Sequence, residues 1–133
     1  MPAANEPPPR VLIVMAEQWP RAQLRAALRE AGYDALGASD LDEALTYPAV
    51  ERGRGPVRLV VLDQAVLQGG REAAVPGLLR QHGEPATLLL GSVLAQTPSG
   101  PWSQVLQRPA SIADILRAVQ ALLELPATTH PIE

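Results

Sequence analysis

The 133-residue sequence contains no cysteine, no phenylalanine and no lysine. Without cysteine there is no disulfide framework, no thiolate nucleophile and no thiolate metal site. Without phenylalanine, and with only two Trp and two Tyr, the core has to be aliphatic, built from Ala, Leu and Val. All eleven basic residues are arginine and the formal net charge is −3, which is the wrong balance for a general nucleic-acid surface. No apolar run approaches the roughly 20 residues of a membrane span. The opening MPAANEPPPR is too polar and proline-rich for a signal peptide. The expectation is a cytoplasmic protein whose partners include neither nucleic acid nor a membrane.

At this length a single core buries about two thirds of the unfolded surface, so one domain is expected. Four prolines among the first nine residues and two among the last eight keep both ends from extending a helix. Residues 1–9 and 126–133 therefore read as flexible tails around a domain at 10–125. Within it, short apolar runs alternate with helical periodicity, as in a parallel sheet covered by helices on both faces.

RVLIV, from Arg10, is a continuous apolar run of strand length. A helix follows with Pro20 in its first turn, Leu24, Ala27, Leu28 and Ala31 on its buried face, and Gly32 as its stop. Arg21, Arg25 and Arg29 run down another side and read as its solvated face rather than as a docking stripe. YDALGA is a weaker strand. Asp40 and Glu43 are spaced as a capping arrangement for a short second helix, which Pro48 and RGRGP end. VRLVVLD is the clearest strand and finishes at Asp63. Pro76 and Gly77 predict a kink or a late start in the third helix. ATLLLG is a fourth strand. SVLAQTPSGPW holds too many turn residues for a regular helix, SQVLQ is a short fifth strand, and Ser111 with Asp114 caps a last helix whose apolar stripe runs from Ile112 to Leu123.

Five strand–helix repeats, with a carboxylate closing strand three and a basic residue followed by proline after strand five, resemble the receiver domain of two-component response regulators. The resemblance spans about residues 10–125. It implies an α/β fold, a doubly wound five-stranded parallel sheet of CheY-like order 2-1-3-4-5, with helix four here shortened or lost, and a site outside the carboxyl ends of strands one and three. The family's phosphorylated aspartate falls on Asp63. Its acidic pair, which with that aspartate binds magnesium, falls on Met15 and Ala16, with Glu17 just beyond. Its Ser/Thr falls on Gly91, next to Ser92, its Lys on Arg108, and its aromatic switch residue on Val105.

These replacements predict a degenerate site. A thioether and a methyl offer magnesium no hard oxygen ligands, Gly91 has no hydroxyl to follow a phosphoryl group, and Val105 has no ring to swing. Arg108, permanently charged and planar, suits a standing ion pair with Asp63 where a metal would otherwise sit. No Gly-rich phosphate loop or nucleophile elbow is present, so no enzyme, no catalytic residue and no cofactor are expected. His82 reads as a helix-end cap and His130 as a tail residue. Trp102 reads as a cap on the core, although an open strand edge beside it would also suit a homodimer.

The expected function is receiver-like signal transduction through phosphorylation-independent protein–protein interaction, with a histidine kinase or a downstream signalling protein as partner. One alternative is a working receiver phosphorylated on Asp63, helped by Glu17 and Arg108. Another is a small-ligand binder with a closed apolar pocket at Met15 and Ala16.

Overall fold

A computed structural model describes residues 7–125 of the chain; of the tails expected at 1–9 and 126–133, residues 1–6 and 126–133 lie outside the described residues. The fold contains strands β1 (Arg10–Val14), β2 (Asp34–Ala38), β3 (Val50–Glu51), β4 (Gly55–Asp63), β5 (Ala86–Gly91) and β6 (Gln104–Gln107). Its helices are α1 (Gln18–Ala31), α2 (Leu41–Leu45), α3 (Val75–Gln81) and α4 (Ile112–Leu122).

The strand order is β2-β1-β4-β5-β6, all parallel. Leaving out β3, this is the expected order 2-1-3-4-5. The addition is β3, which pairs antiparallel with the start of β4 through Val50–Pro56 and Glu51–Gly55. The sheet is thus six-stranded and mixed rather than five-stranded and wholly parallel. The RGRGP segment forms the turn of this hairpin, with Gly53 and Gly55 both at positive φ, a conformation glycine adopts without steric cost. Sheet pairing also starts before β1, since the carbonyl of buried Pro9 accepts from the Asp34 N–H at 2.8 Å.

Alternation along the strands divides the core into two layers. Val11, Ile13, Leu59, Val61, Leu88 and Leu90 face α1 and α4. Leu12, Val14, Val60, Leu62 and Leu89 face α2 and α3. Of these eleven Leu, Val and Ile residues all but Leu90 are fully buried, and Leu90 is 1% exposed. At roughly 1.5–3 kcal/mol for each such side chain, they are the main source of cohesion.

The third helix starts late, as Pro76 requires: a 3₁₀ turn at Arg71–Ala74 precedes α3, which carries the proline in its first turn. The capping box of α4 is present, with Ser111 Oγ accepting from the Asp114 N–H and the Asp114 carboxylate accepting from the Ser111 N–H, both at 3.0 Å. At α2, Asp40 accepts from the Glu43 N–H, but the Glu43 carboxylate reaches back to the N–H and hydroxyl of Ser39 rather than to Asp40.

Between β5 and β6 the described chain makes no helix. Residues 92–103 form a loop fastened at several points. Thr87 donates to the Pro101 carbonyl, Ser103 exchanges bonds with Thr87, and the Trp102 indole N–H donates to the Pro98 carbonyl. Half-buried Trp102 packs on the second core layer, covering part of the sheet that a fourth helix would otherwise cover. Gly100 permits this, because a Cβ there would overlap the indole ring.

Candidate functional site

Parallel pairing brings the ends of β1, β4, β5 and β6 to one crest. Val14 pairs with Leu62, Asp63 with Leu90, and Gly91 with Gln107. Asp63 is the last residue of β4, and its side chain is 9% exposed. Its Oδ1 accepts from the Ala65 N–H at 3.1 Å and so caps the 3₁₀ turn Gln64–Leu67.

Arg108, just past β6, reaches across β5 to this carboxylate. Its Nη1 donates to Oδ1 at 3.1 Å and its Nη2 to Oδ2 at 2.9 Å, a two-pronged match of guanidinium to carboxylate. Nη1 also lies 3.4 Å from the Leu90 and Gly91 carbonyls. Arg108 is 34% exposed, so solvent screens the pair from one side only. The residues expected to face each other from strands three and five therefore meet, and both oxygens of Asp63 are occupied.

The positions after β1 are not arranged around Asp63. Met15 is 2% exposed and belongs to the first core layer, while Ala16 and Glu17 are exposed. The Met15 carbonyl accepts from Arg21 Nη1 at 2.7 Å, and the Ala16 carbonyl lies 3.3 Å from the same nitrogen. Arg25 likewise donates to the Ala35 carbonyl at 3.1 Å. Arg25 and Arg29 are exposed, as expected of a solvated face; beyond that expectation, Arg21, which is half-buried, and Arg25 also satisfy backbone carbonyls at the edge of the sheet.

Gly91 ends β5 beneath the Gln107 side chain. A Cβ on Gly91 would stand 2.5 Å from Gln107 Oε1, and the Gln107 amide donates onward to Thr97 Oγ1 at 2.7 Å. Ser92 is outside the strand. Its N–H donates to Gln64 Oε1 at 2.9 Å, and its hydroxyl accepts from the Leu94 N–H. Val105 is half-buried against the second core layer.

Gln64 has a role that sequence reading missed. It is 6% exposed, and while its carbonyl accepts from Ser92, its amide donates to the Gln96 carbonyl at 2.8 Å, clasping the β5–β6 loop to the crest. A glutamine beside the strand-ending aspartate was the available signal, but its partner lies 28 residues away in sequence and nothing local marks it.

Two clefts flank Arg108. One, of about 460 Å³, lies between the Gln64–Leu67 turn and the β5–β6 loop and is reached by Glu17, Asp63 and Glu72. The other, of about 340 Å³, lies between the starts of α1 and α4. Met15 lines the second cleft and Ala16 lines neither of these two, so neither cleft is the closed pocket at both residues that would favour a small-ligand binder.

Magnesium needs several hard oxygen ligands in near-octahedral array. The donor set here does not fit: the buried Asp63 carboxylate has both oxygens engaged by a guanidinium, and Met15 offers a thioether turned into the core. Among the described residues there is no group of three or more His, Asp or Glu able to hold a metal ion.

At the opposite end of the sheet, Arg10 is 1% exposed. It contacts Asp34 and Glu51, and donates to the Gly55 carbonyl at 3.1 Å. His82 is 3% exposed, and neither ring nitrogen has a hydrogen-bond partner among the described residues. Burial first, then the charge of Arg10, push its pKa below the usual 6.5; the nearby Ala44 backbone opposes this without a well-formed bond. His82 stands at the C-cap of α3, as expected, but its ring is buried and favours the neutral form rather than being partly positive.

No family model matches the sequence, and no curated protein sequence matches it. Solved structures do match. The chain is similar to an adenylate cyclase structure from Rhodopirellula baltica, with a TM-score of 0.71 and 17% identity over 86% of each chain. It is similar to a response regulator from Thermotoga maritima, with a TM-score of 0.67 and 17% identity over 86% of this chain and 97% of that one. It is also similar to the chemotaxis protein CheY4 of Vibrio cholerae, with a TM-score of 0.64 and 21% identity over 87% of this chain and 99% of that one. Among the described residues no helix is long and apolar enough to cross a membrane. Strand order, the two core layers and these likenesses agree that the chain has the CheY-like fold of response regulator receiver domains.

Proposed function

We propose that this chain is a signalling module of receiver fold that recognises a protein partner in one fixed state, without phosphorylation, magnesium or catalysis. The observation that carries this reading is the double contact of Arg108 with Asp63. Asp63 stands at the position equivalent to the phosphoacceptor. Attack on a phosphoryl group needs a free carboxylate oxygen, together with cations that neutralise charge as it spreads over the transferring group. Here both oxygens already accept from a guanidinium, and that guanidinium is committed to the ground state.

The features that would relay a phosphoryl signal are also replaced. Gly91 stands at the hydroxyl position and is overlain by Gln107, Val105 is held against the core, and Gln64 ties down the loop that takes the place of helix four. A crest built in this way presents one surface, which suits constitutive docking to a kinase or downstream protein.

The test is a titration of the full chain with magnesium and beryllofluoride, followed by backbone amide shifts. The expected result is no saturable shift at Asp63, Gly91 or Arg108. A saturable shift at these residues, dependent on both reagents, would return the chain to the class of phosphorylated switches.

A further inference from the structure

The larger cleft at the crest combines features that solvent alone does not explain. Leu94 is 93% exposed and Val93 66% exposed; both stand on its rim, with Leu67 and Pro98 adding apolar lining. Two adjacent exposed apolar side chains on the rim of one cleft form a patch, not singly scattered residues. Here they sit on a loop fixed in place by Gln64.

The charge of the same cleft is acidic and uncompensated. Glu17 and Glu72 line it, both are exposed, and neither forms an ion pair among the described residues. Arg108, the single basic lining residue, is committed to Asp63, and Arg71, beside Glu72, turns to Asp42 at 3.5 Å.

We propose that this cleft is the face on which the domain receives its partner, and that the partner presents an Arg or Lys flanked by aliphatic or aromatic residues. The inference rests on the reading of the domain as a protein-binding module and names the chemistry of what it binds. A long basic side chain can lay its methylenes along Leu94 and Pro98 while its head group lies between Glu17 and Glu72. The flanking apolar residues cover Val93 and Leu94. A small free amine would leave these two side chains in water, so the complement of the whole face is a peptide segment. Because the clasped loop holds the rim in position, little ordering cost falls on this side of the interface.

The test pans a displayed library of short random peptides against the full chain. Selected sequences are expected to carry one Arg or Lys beside Leu, Ile, Val or an aromatic residue. When synthesised, such peptides should shift the amides of Glu17, Glu72 and residues 92–96. Glu17→Gln and Glu72→Gln should each weaken binding about two- to fivefold, the range of exposed ion pairs, and Leu94→Ser about tenfold or more. Glu124→Gln, an exposed carboxylate away from the cleft, should change nothing. Failure to enrich any sequence, selection of acidic peptides, shifts elsewhere on the fold, or binding indifferent to the Glu17, Glu72 and Leu94 variants would each overturn the proposal. The beryllofluoride titration uses no peptide and reads Asp63, Gly91 and Arg108, so the two readings fail separately.

Discussion

Arg108 and Asp63 are an ion pair whose worth depends on its surroundings. The carboxylate is nearly enclosed and the guanidinium is one-third exposed, which places the pair between a surface bridge worth about 0–1 kcal/mol and a buried one whose breaking costs about 3–5 kcal/mol. Asp63→Asn and Arg108→Met are each expected to lower unfolding stability by about 1–3 kcal/mol. The double variant should lose less than the sum, leaving a coupling of about 1–2 kcal/mol in urea titrations. Additive losses would mean that the two side chains act independently. Gly91→Thr is expected to cost about 1–3 kcal/mol, since its Cβ would displace the Gln107 side chain and break that side chain's bond to Thr97, and it should not confer a response to beryllofluoride while Arg108 covers Asp63.

Among the elements, the β5–β6 loop is the one whose order is most concentrated in a single side chain. Gln64 supplies two of its anchors, to Ser92 and to Gln96. Gln64→Ala would remove both and leave the buried site unfilled, a cost of about 1–3 kcal/mol. Amide exchange at Ser92 should become faster and the loop broadly more mobile, while β1 and β4 should exchange as before. Unchanged exchange at Ser92 would show that Trp102 and Thr87 hold the loop without the clasp. The expectation that Trp102 caps the core agrees with its packing. The loss of helix four was legible because Gly and Pro punctuate Gly91 to Arg108. The loop's actual path was not, because it follows from contacts with Gln64 and Thr87, residues on other elements.

For the molecule as a whole, the base of the sheet sets a pH limit. His82 has a folded-state pKa below its ordinary 6.5, so as pH falls the unfolded chain takes up a proton before the folded chain does. Stability rises with pH wherever the unfolded state binds more protons. The His82 contribution is therefore complete above about pH 6.5 and is lost progressively below it, toward the depressed folded value. Unfolding midpoints measured from about pH 7.5 to about pH 5.5 should fall, and His82→Gln should flatten that slope whatever it does to stability at pH 7. Glu43 and Asp114, whose pKa values lie below 4.5 and 3.8 respectively, act in a more acidic window and do not mask it. A slope retained in the His82 variant would place the titrating group elsewhere.

Apolar runs of strand length, helical stripes, caps, and the Gly and Pro stops carried the order of the elements and hence the fold class, because each is a local property that a chain segment expresses with its neighbours. The same locality located Asp63 at a strand end and showed that Met15 and Ala16 offer no charge. The β3–β4 hairpin escaped because two-residue pairing is too short for a periodic signal and here depends on Arg10 reaching Glu51 and the Gly55 carbonyl. Folding in three dimensions determined that Arg108 covers both oxygens of Asp63, that Gln107 fills the space above Gly91, that Arg21 serves the carbonyls after β1, and that His82 is buried uncharged. Each of these depends on a side chain's direction and on partners brought near by sheet register, and no run of neighbouring residues encodes either.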